Sequence, residues 1–212
     1  MYNIKLKIKG CKNISSLREF VKLNKIKLVL FGEYHGFFKQ IQVQREILNK
    51  ISPNFFLYEM LEENKILSDN DAKRFLGKSN NENFSVVSTY GQLKPIINLA
   101  RNFDLPIIGC DIKNMGVDKN WMEKKFSEKE ANSITRKREL QQAKIINQYT
   151  SKGLVFALVG DYHLRKNSFI FTKLRVKKAI LVRPSFKWKD ELNHVENIKK
   201  SDINYIVKFY KK

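Results

Sequence analysis

Two uninterrupted apolar runs, Leu28-Val29-Leu30-Phe31 and Leu154-Val155-Phe156-Ala157-Leu158-Val159, most constrain what this chain can become. Each runs straight into a glycine, Gly32 or Gly160. A strand that is apolar on both faces must be covered on both, which is the situation of a parallel sheet packed between helices. The intervening sequence supplies matching helices. Residues 37–51 place Phe38, Ile41, Ile47, Leu48 and Ile51 at mostly helical spacing, and Pro53 closes the segment. Further strands are expected at Phe55-Phe56-Leu57-Tyr58 and Leu105-Pro106-Ile107-Ile108-Gly109, with a helix over 93–103 between them. Ser127 followed by Glu130 resembles a capping box, so a long helix is expected from there to Tyr149. Residues 1–9 alternate apolar and basic side chains as a strand does. Residues 169–174, 178–182 and 203–209 read as shorter strand-like pieces.

The expectation is one α/β domain over 1–212, three-layered, with a mainly parallel central sheet flanked by helices. A chain of 212 residues is long enough to bury such a core. The polar stretch 61–88, which contains Lys78-Ser79-Asn80-Asn81-Glu82-Asn83, is expected to be a lid or inserted segment.

Composition removes several function classes. No apolar run approaches the roughly 20 residues that cross a bilayer, and the basic start lacks an apolar core behind it. No membrane span and a cytoplasmic location are expected. Cys11 and Cys110 are the only cysteines, without CxxC spacing, so neither a disulfide framework nor a thiolate zinc site is expected. The net charge of +20 invites a nucleic-acid reading. The excess, however, is mostly lysine scattered through every segment. Arginine, which forks onto phosphates and guanine edges, is comparatively scarce. No specific nucleic-acid partner is expected.

In a parallel sheet, ligands gather at the carboxyl ends of the strands. There the sequence repeats a pattern: Gly32-Glu33-Tyr34-His35 and Gly160-Asp161-Tyr162-His163. Glycine allows a sharp turn and close approach. Histidine three residues on can act as a base near neutral pH or ligate a metal, and a carboxylate can orient it. Glu59 surfaces at the end of its strand and needs a partner there, and Asp111 poses the same question. Of Arg136 and Arg138 on the long helix, at least one is expected to face solvent. His194 stands among Glu191, Asn193 and Glu196, a surface setting. Tyr34 and Tyr162 recur at the same place in both turns; they are candidate cofactor-binding phenols, with packing the competing role.

In order and spacing these residues resemble the ChaN-like haem-binding proteins, within a superfamily that also holds erythromycin esterases, TraB-type proteins and Tiki proteases. The likeness runs from Leu28-Val29-Leu30-Phe31-Gly32-Glu33-Tyr34-His35 through Leu57-Tyr58-Glu59-Met60-Leu61 to the 93–109 helix and strand. It continues through Arg138 and Ala143 and ends at Val155 to Gly160 and His163, covering most of residues 26–175. The resemblance implies an erythromycin-esterase/ChaN-like α/β fold and a functional set of Glu33, His35, Glu59, Arg138 and His163. Two activities are compatible with it. One is hydrolysis of a peptide or ester bond, with His35, Glu59 and His163 orienting water directly or holding zinc, manganese or cobalt. The other is non-catalytic binding of haem or iron, with tyrosine or histidine as axial ligand. The expected partners are a small-molecule or peptide substrate and a second copy in a homodimer.

Overall fold

The computed structural model describes residues 3–9, 11, 13–34, 40–63, 66–67, 93–113, 125–186 and 203–212. Its strands are β1 (Asn3–Lys7), β2 (Leu28–Glu33), β3 (Phe55–Glu62), β4 (Ile66–Leu67), β5 (Ile107–Asp111), β6 (Val155–Gly160), β7 (Lys178–Phe186) and β8 (Ile203–Lys211). Among the described residues they form one eight-stranded sheet in the order β1-β8-β7-β2-β6-β3-β5-β4. The five central strands β7, β2, β6, β3 and β5 are mutually parallel. Antiparallel partners, β8 on β7 and β4 on β5, lie toward the two edges.

Every residue of β2 and β6 is buried, as the unbroken apolar runs require. Alternation along the strands divides the core in two. Val29, Phe31, Phe56, Tyr58, Phe156 and Leu158 pack against α1 (Leu17–Leu23), α2 (Gln40–Ile51) and α3 (Leu93–Arg101). Leu28, Leu30, Leu57, Ala157 and Val159 face α4 (Glu128–Thr150) and α5 (Phe169–Lys173). This is the expected three-layer arrangement. In α2 the buried residues Gln40, Val43, Gln44, Ile47, Leu48 and Ile51 make one stripe at helical spacing. At the start of α4, Ser127 accepts from the Glu130 N–H while the Glu130 carboxylate accepts from the Ser127 N–H, a complete capping box.

Two local expectations change. Residues 169–174 are not a strand: α5 forms because Ser168 accepts from the Ile170 N–H at 3.1 Å and Glu139 from the Phe169 N–H at 2.8 Å. With those end donors satisfied, a short helical turn wins over an extended piece. The third apolar strand lies two residues later than expected, as β5, carrying Asp111 inside the sheet. β3 and β5 approach so closely there that a side chain at Gly109 would strike the Glu62 carbonyl. The expected lid at 61–88 begins inside β3, and residues 66–67 form β4. The remainder of that stretch, with His35 and His194, lies outside the described residues.

Candidate active site

The order of the central strands decides which residues can meet. β6 inserts between β2 and β3, so the two glycine turns become neighbours: Gly32 pairs with Val159, and Glu33 with Gly160. β3 flanks β6 on its other side, with Tyr58 opposite Leu158. The carboxyl ends of β2, β6 and β5 thus bring Glu33, the 160–163 turn and Asp111 to one edge, where Glu59 joins them from within β3, just past its last pairing with β6 at Tyr58.

Glu59, only 2% exposed, is the hub. Its Oε1 accepts from Arg138 Nη2 at 2.7 Å and lies 3.3 Å from His163 Nε2. Its Oε2 accepts from the Gly160 N–H. Arg138 reaches in from α4 and also binds Asp111 Oδ2, through Nε at 2.8 Å and Nη2 at 2.6 Å. Its Nη1 makes no hydrogen bond to a described residue. The guanidinium therefore clamps two buried carboxylates while keeping one nitrogen uncommitted.

His163 sits on a tight helical turn, Asp161–Leu164, that begins directly after Gly160. Its Nδ1 lies 3.1 Å from Glu139 Oε1, so both ring nitrogens face carboxylates. Glu139 is itself out of contact with solvent and accepts from Arg165 and from the Phe169 N–H. Burial alone would disfavour the imidazolium. The Glu59 charge and the hydrogen bonds of Glu139 and Glu59 outweigh it and raise the His163 pKa to about 9. Burial likewise opposes ionisation of Glu139, but hydrogen bonds from His163, Phe169 and Arg165 hold its carboxyl below the usual range.

Glu33 lies on the other side of the sheet edge, in register with Val29 and Phe31, and is hydrogen-bonded by Gln40 Nε2 at 3.4 Å. Burial, reinforced by the Glu59 charge, pushes its pKa well above the carboxylate range. Burial similarly raises Asp111, against the opposing pull of Arg138. Glu59 is met by cations and an N–H, and Glu33 is biased toward the neutral acid.

Of the expected set, Glu59, Arg138 and His163 touch, and Glu33 is coupled electrostatically to Glu59. Tyr34 is half-buried and its backbone is bonded to the Gln40 side chain at 3.0 and 3.1 Å. Tyr162 is 60% exposed, with Arg165 stacked 4.4 Å from its ring centre. Arg136 faces solvent, while Arg138 does not. The residues that sequence reasoning missed are Glu139, Arg165, Gln40 and Arg183. Arg183 grips Asp161 through Nε and Nη2, each at 2.7 Å.

The donor set answers the metal expectation in part. Both ring nitrogens of His163 are directed at carboxylates, and both Glu59 oxygens already accept hydrogen bonds. As arranged, Glu59 and His163 do not fit zinc, manganese or cobalt. Among the described residues no cluster of three His, Cys, Asp or Glu is placed to hold a metal ion. No helix among them is long and apolar enough to cross a membrane.

No protein-family model and no curated protein matches the chain. Solved structures do. ChaN of Campylobacter jejuni, in a structure describing cofacial haem binding, aligns with a TM-score of 0.52 at 16% identity, over 92% of this chain and 91% of that one. RRSP, a MARTX toxin effector domain from Vibrio vulnificus, aligns at 0.51 and 17% identity, over 82% of this chain but 36% of its own length. A further bacterial protein toxin gives 0.52 at 16% identity, with 37% of its length spanned. The shared property is the ChaN-like α/β fold.

Proposed function

Starting from that shared fold, we propose that the chain is a hydrolase of peptide or ester bonds. The observation that carries this reading is the hub on Glu59, gripped by Arg138, His163 and the Gly160 N–H between the two glycine turns. Hydrolysis needs a base for water, a donor for the developing oxyanion and an acid for the leaving group. Arg138 Nη1 is the uncommitted donor, held rigidly because Nε and Nη2 are tied down. Glu33, biased toward its neutral form, is the acid that protonates the leaving group. His163, flanked by Glu59 and Glu139, supplies fixed positive charge and is poorly suited to be the base. That role falls to His35, two residues beyond Glu33. Once the leaving group has taken the Glu33 proton, transfer of the water-derived proton from His35 restores the site.

The test is turnover of a panel of aryl esters and fluorogenic peptides by protein purified without a histidine tag. Glu59→Gln and His35→Gln should each remove activity by about 10²-fold or more. Absence of any turnover that depends on His35 sinks the hydrolase reading. The second reading, haem binding without catalysis, is supported by the exposed Tyr162 phenol and by the haem bound to the Campylobacter protein. It predicts a Soret shift on haemin titration that is lost in Tyr162→Phe.

A further inference from the structure

The geometry points to a second ligand site, for an anion carrying an apolar body, at the opposite edge of the sheet. A cavity of about 300 Å³ lies at the amino ends of β2, β3 and β6. Its apolar lining includes Val21, Ile26, Ile51 and Leu154, while Arg18, Lys22, Lys25 and Lys27 also border it and no acidic residue among those described does. Among the described residues, none of these four cations has an ion-pair partner. Arg18 and Lys22 stand four residues apart on α1, a like-charge spacing that costs stability unless a counter-charge is present.

Helix carboxyl ends could account for part of this charge. α1, α2 and α4 all finish near this edge, each contributing roughly half a negative charge. About −1.5 in total does not balance four positive side chains. Asn54 adds a neutral donor. Its Oδ1 accepts from the Leu154 N–H at 2.8 Å, which fixes which end of the amide faces the backbone. Its Nδ2 makes no hydrogen bond to a described residue. Lys25 and Ser52, which line the cavity with φ of 52° and 46°, are the left-handed residues that end α1 and α2. The cavity therefore combines an apolar floor, a cationic rim and an oriented amide donor, which suits a phosphate head on an alkyl or aryl body.

Calorimetric titration with octyl phosphate, with inorganic phosphate as comparison, tests the site. Octyl phosphate should bind more tightly than phosphate alone. Lys22→Gln/Lys27→Gln, two exposed positions, should weaken it at least tenfold, whereas Lys129→Gln/Lys137→Gln on the far side of the sheet should not. Sedimentation with phosphatidylglycerol and phosphatidylcholine vesicles then separates the sources. Binding to the anionic vesicles through the same lysines identifies a lipid headgroup, and binding to soluble octyl phosphate alone identifies a free ligand. Equal affinity for phosphate and octyl phosphate, or equal loss in both lysine pairs, overturns the proposal.

Discussion

Gly32 leaves no room for a side chain against Asp161: a Cβ placed there would lie 3.2 Å from the Asp161 Cβ and well inside contact with its carboxylate. The carboxylate cannot swing away, because Arg183 holds both its oxygens. The first glycine of one turn thus makes space for the acid of the other. Gly32→Ala is expected to lower unfolding free energy by about 1–3 kcal/mol, read by urea denaturation. In an Asp161→Ala background the loss should shrink, since the two sites share one contact. A Gly32→Ala protein as stable as the parent would show that the turns do not approach this closely.

Among the described residues Arg138 is the only cation bridging Glu59 and Asp111, so its removal takes a guanidinium from two buried carboxylates. Arg138→Met should cost about 3–5 kcal/mol. Arg138→Lys should recover little, because a single ammonium cannot reproduce the fork that meets both acids. Adding Asp111→Asn to Arg138→Met should restore part of the stability by removing the charge that has lost its guanidinium, whereas Glu59 keeps His163 and the Gly160 N–H. If the double variant is no more stable than the single one, the loss comes from packing and not from charge.

Glu33 gives the opposite sign. Its folded pKa is raised, so the folded state holds a proton that the unfolded state releases once pH exceeds the ordinary carboxylate range. That difference costs stability increasingly as pH climbs from there toward the folded value. Glu33→Gln removes the cost while keeping an oxygen for Gln40 to donate to. The variant should equal or exceed the parent in stability at pH 7, measured by denaturant midpoint, while losing turnover by about 10²-fold or more. A variant clearly less stable than the parent would mean that the carboxylate form of Glu33 is the one the fold uses.

What could be read from the sequence depended on how local the cause was. Continuous apolar runs dictate strands covered on both faces, and so Gly32 and Gly160 fall at strand ends as expected, whereas β3 runs on to Glu62 and holds Glu59 inside the strand. The insertion of β6 between β2 and β3 is a pairing choice with no local signature, yet it alone brings the two turns together. Asp111 falls outside the strand expected over residues 105–109, because the close approach of β3 and the register shift there are tertiary. Glu139 was missed because a glutamate on a charged helix reads as solvated. Its spacing held the clue: Glu139, Ala143, Ile146 and Thr150 form one buried stripe on α4, which puts a carboxylate where an apolar side chain belongs. For five residues such as α5, neither period can be told from the other, and only the caps from Ser168 and Glu139 decide.

The pairing of His163 with Glu59 and Glu139 makes stability depend on pH in the alkaline range. His163 has a folded pKa raised from 6.5 to about 9. Its contribution is therefore complete below the unfolded value and disappears as pH rises through the folded one. At about 1.4 kcal/mol per unit, the loss between pH 7 and pH 10 is on the order of 2–3 kcal/mol. Lysine and tyrosine titrations overlap the upper end of that window, so the comparison that isolates His163 is with His163→Gln. The variant should be less stable than the parent at pH 7, because Glu59 and Glu139 lose a shared cation. The gap between the two proteins should close as pH approaches 10. Urea denaturation at pH 6, 7, 8, 9 and 10 reads this directly. A gap that stays constant across the series would mean that His163 is neutral in the folded protein, and that Glu59 and Glu139 do not hold it as a cation.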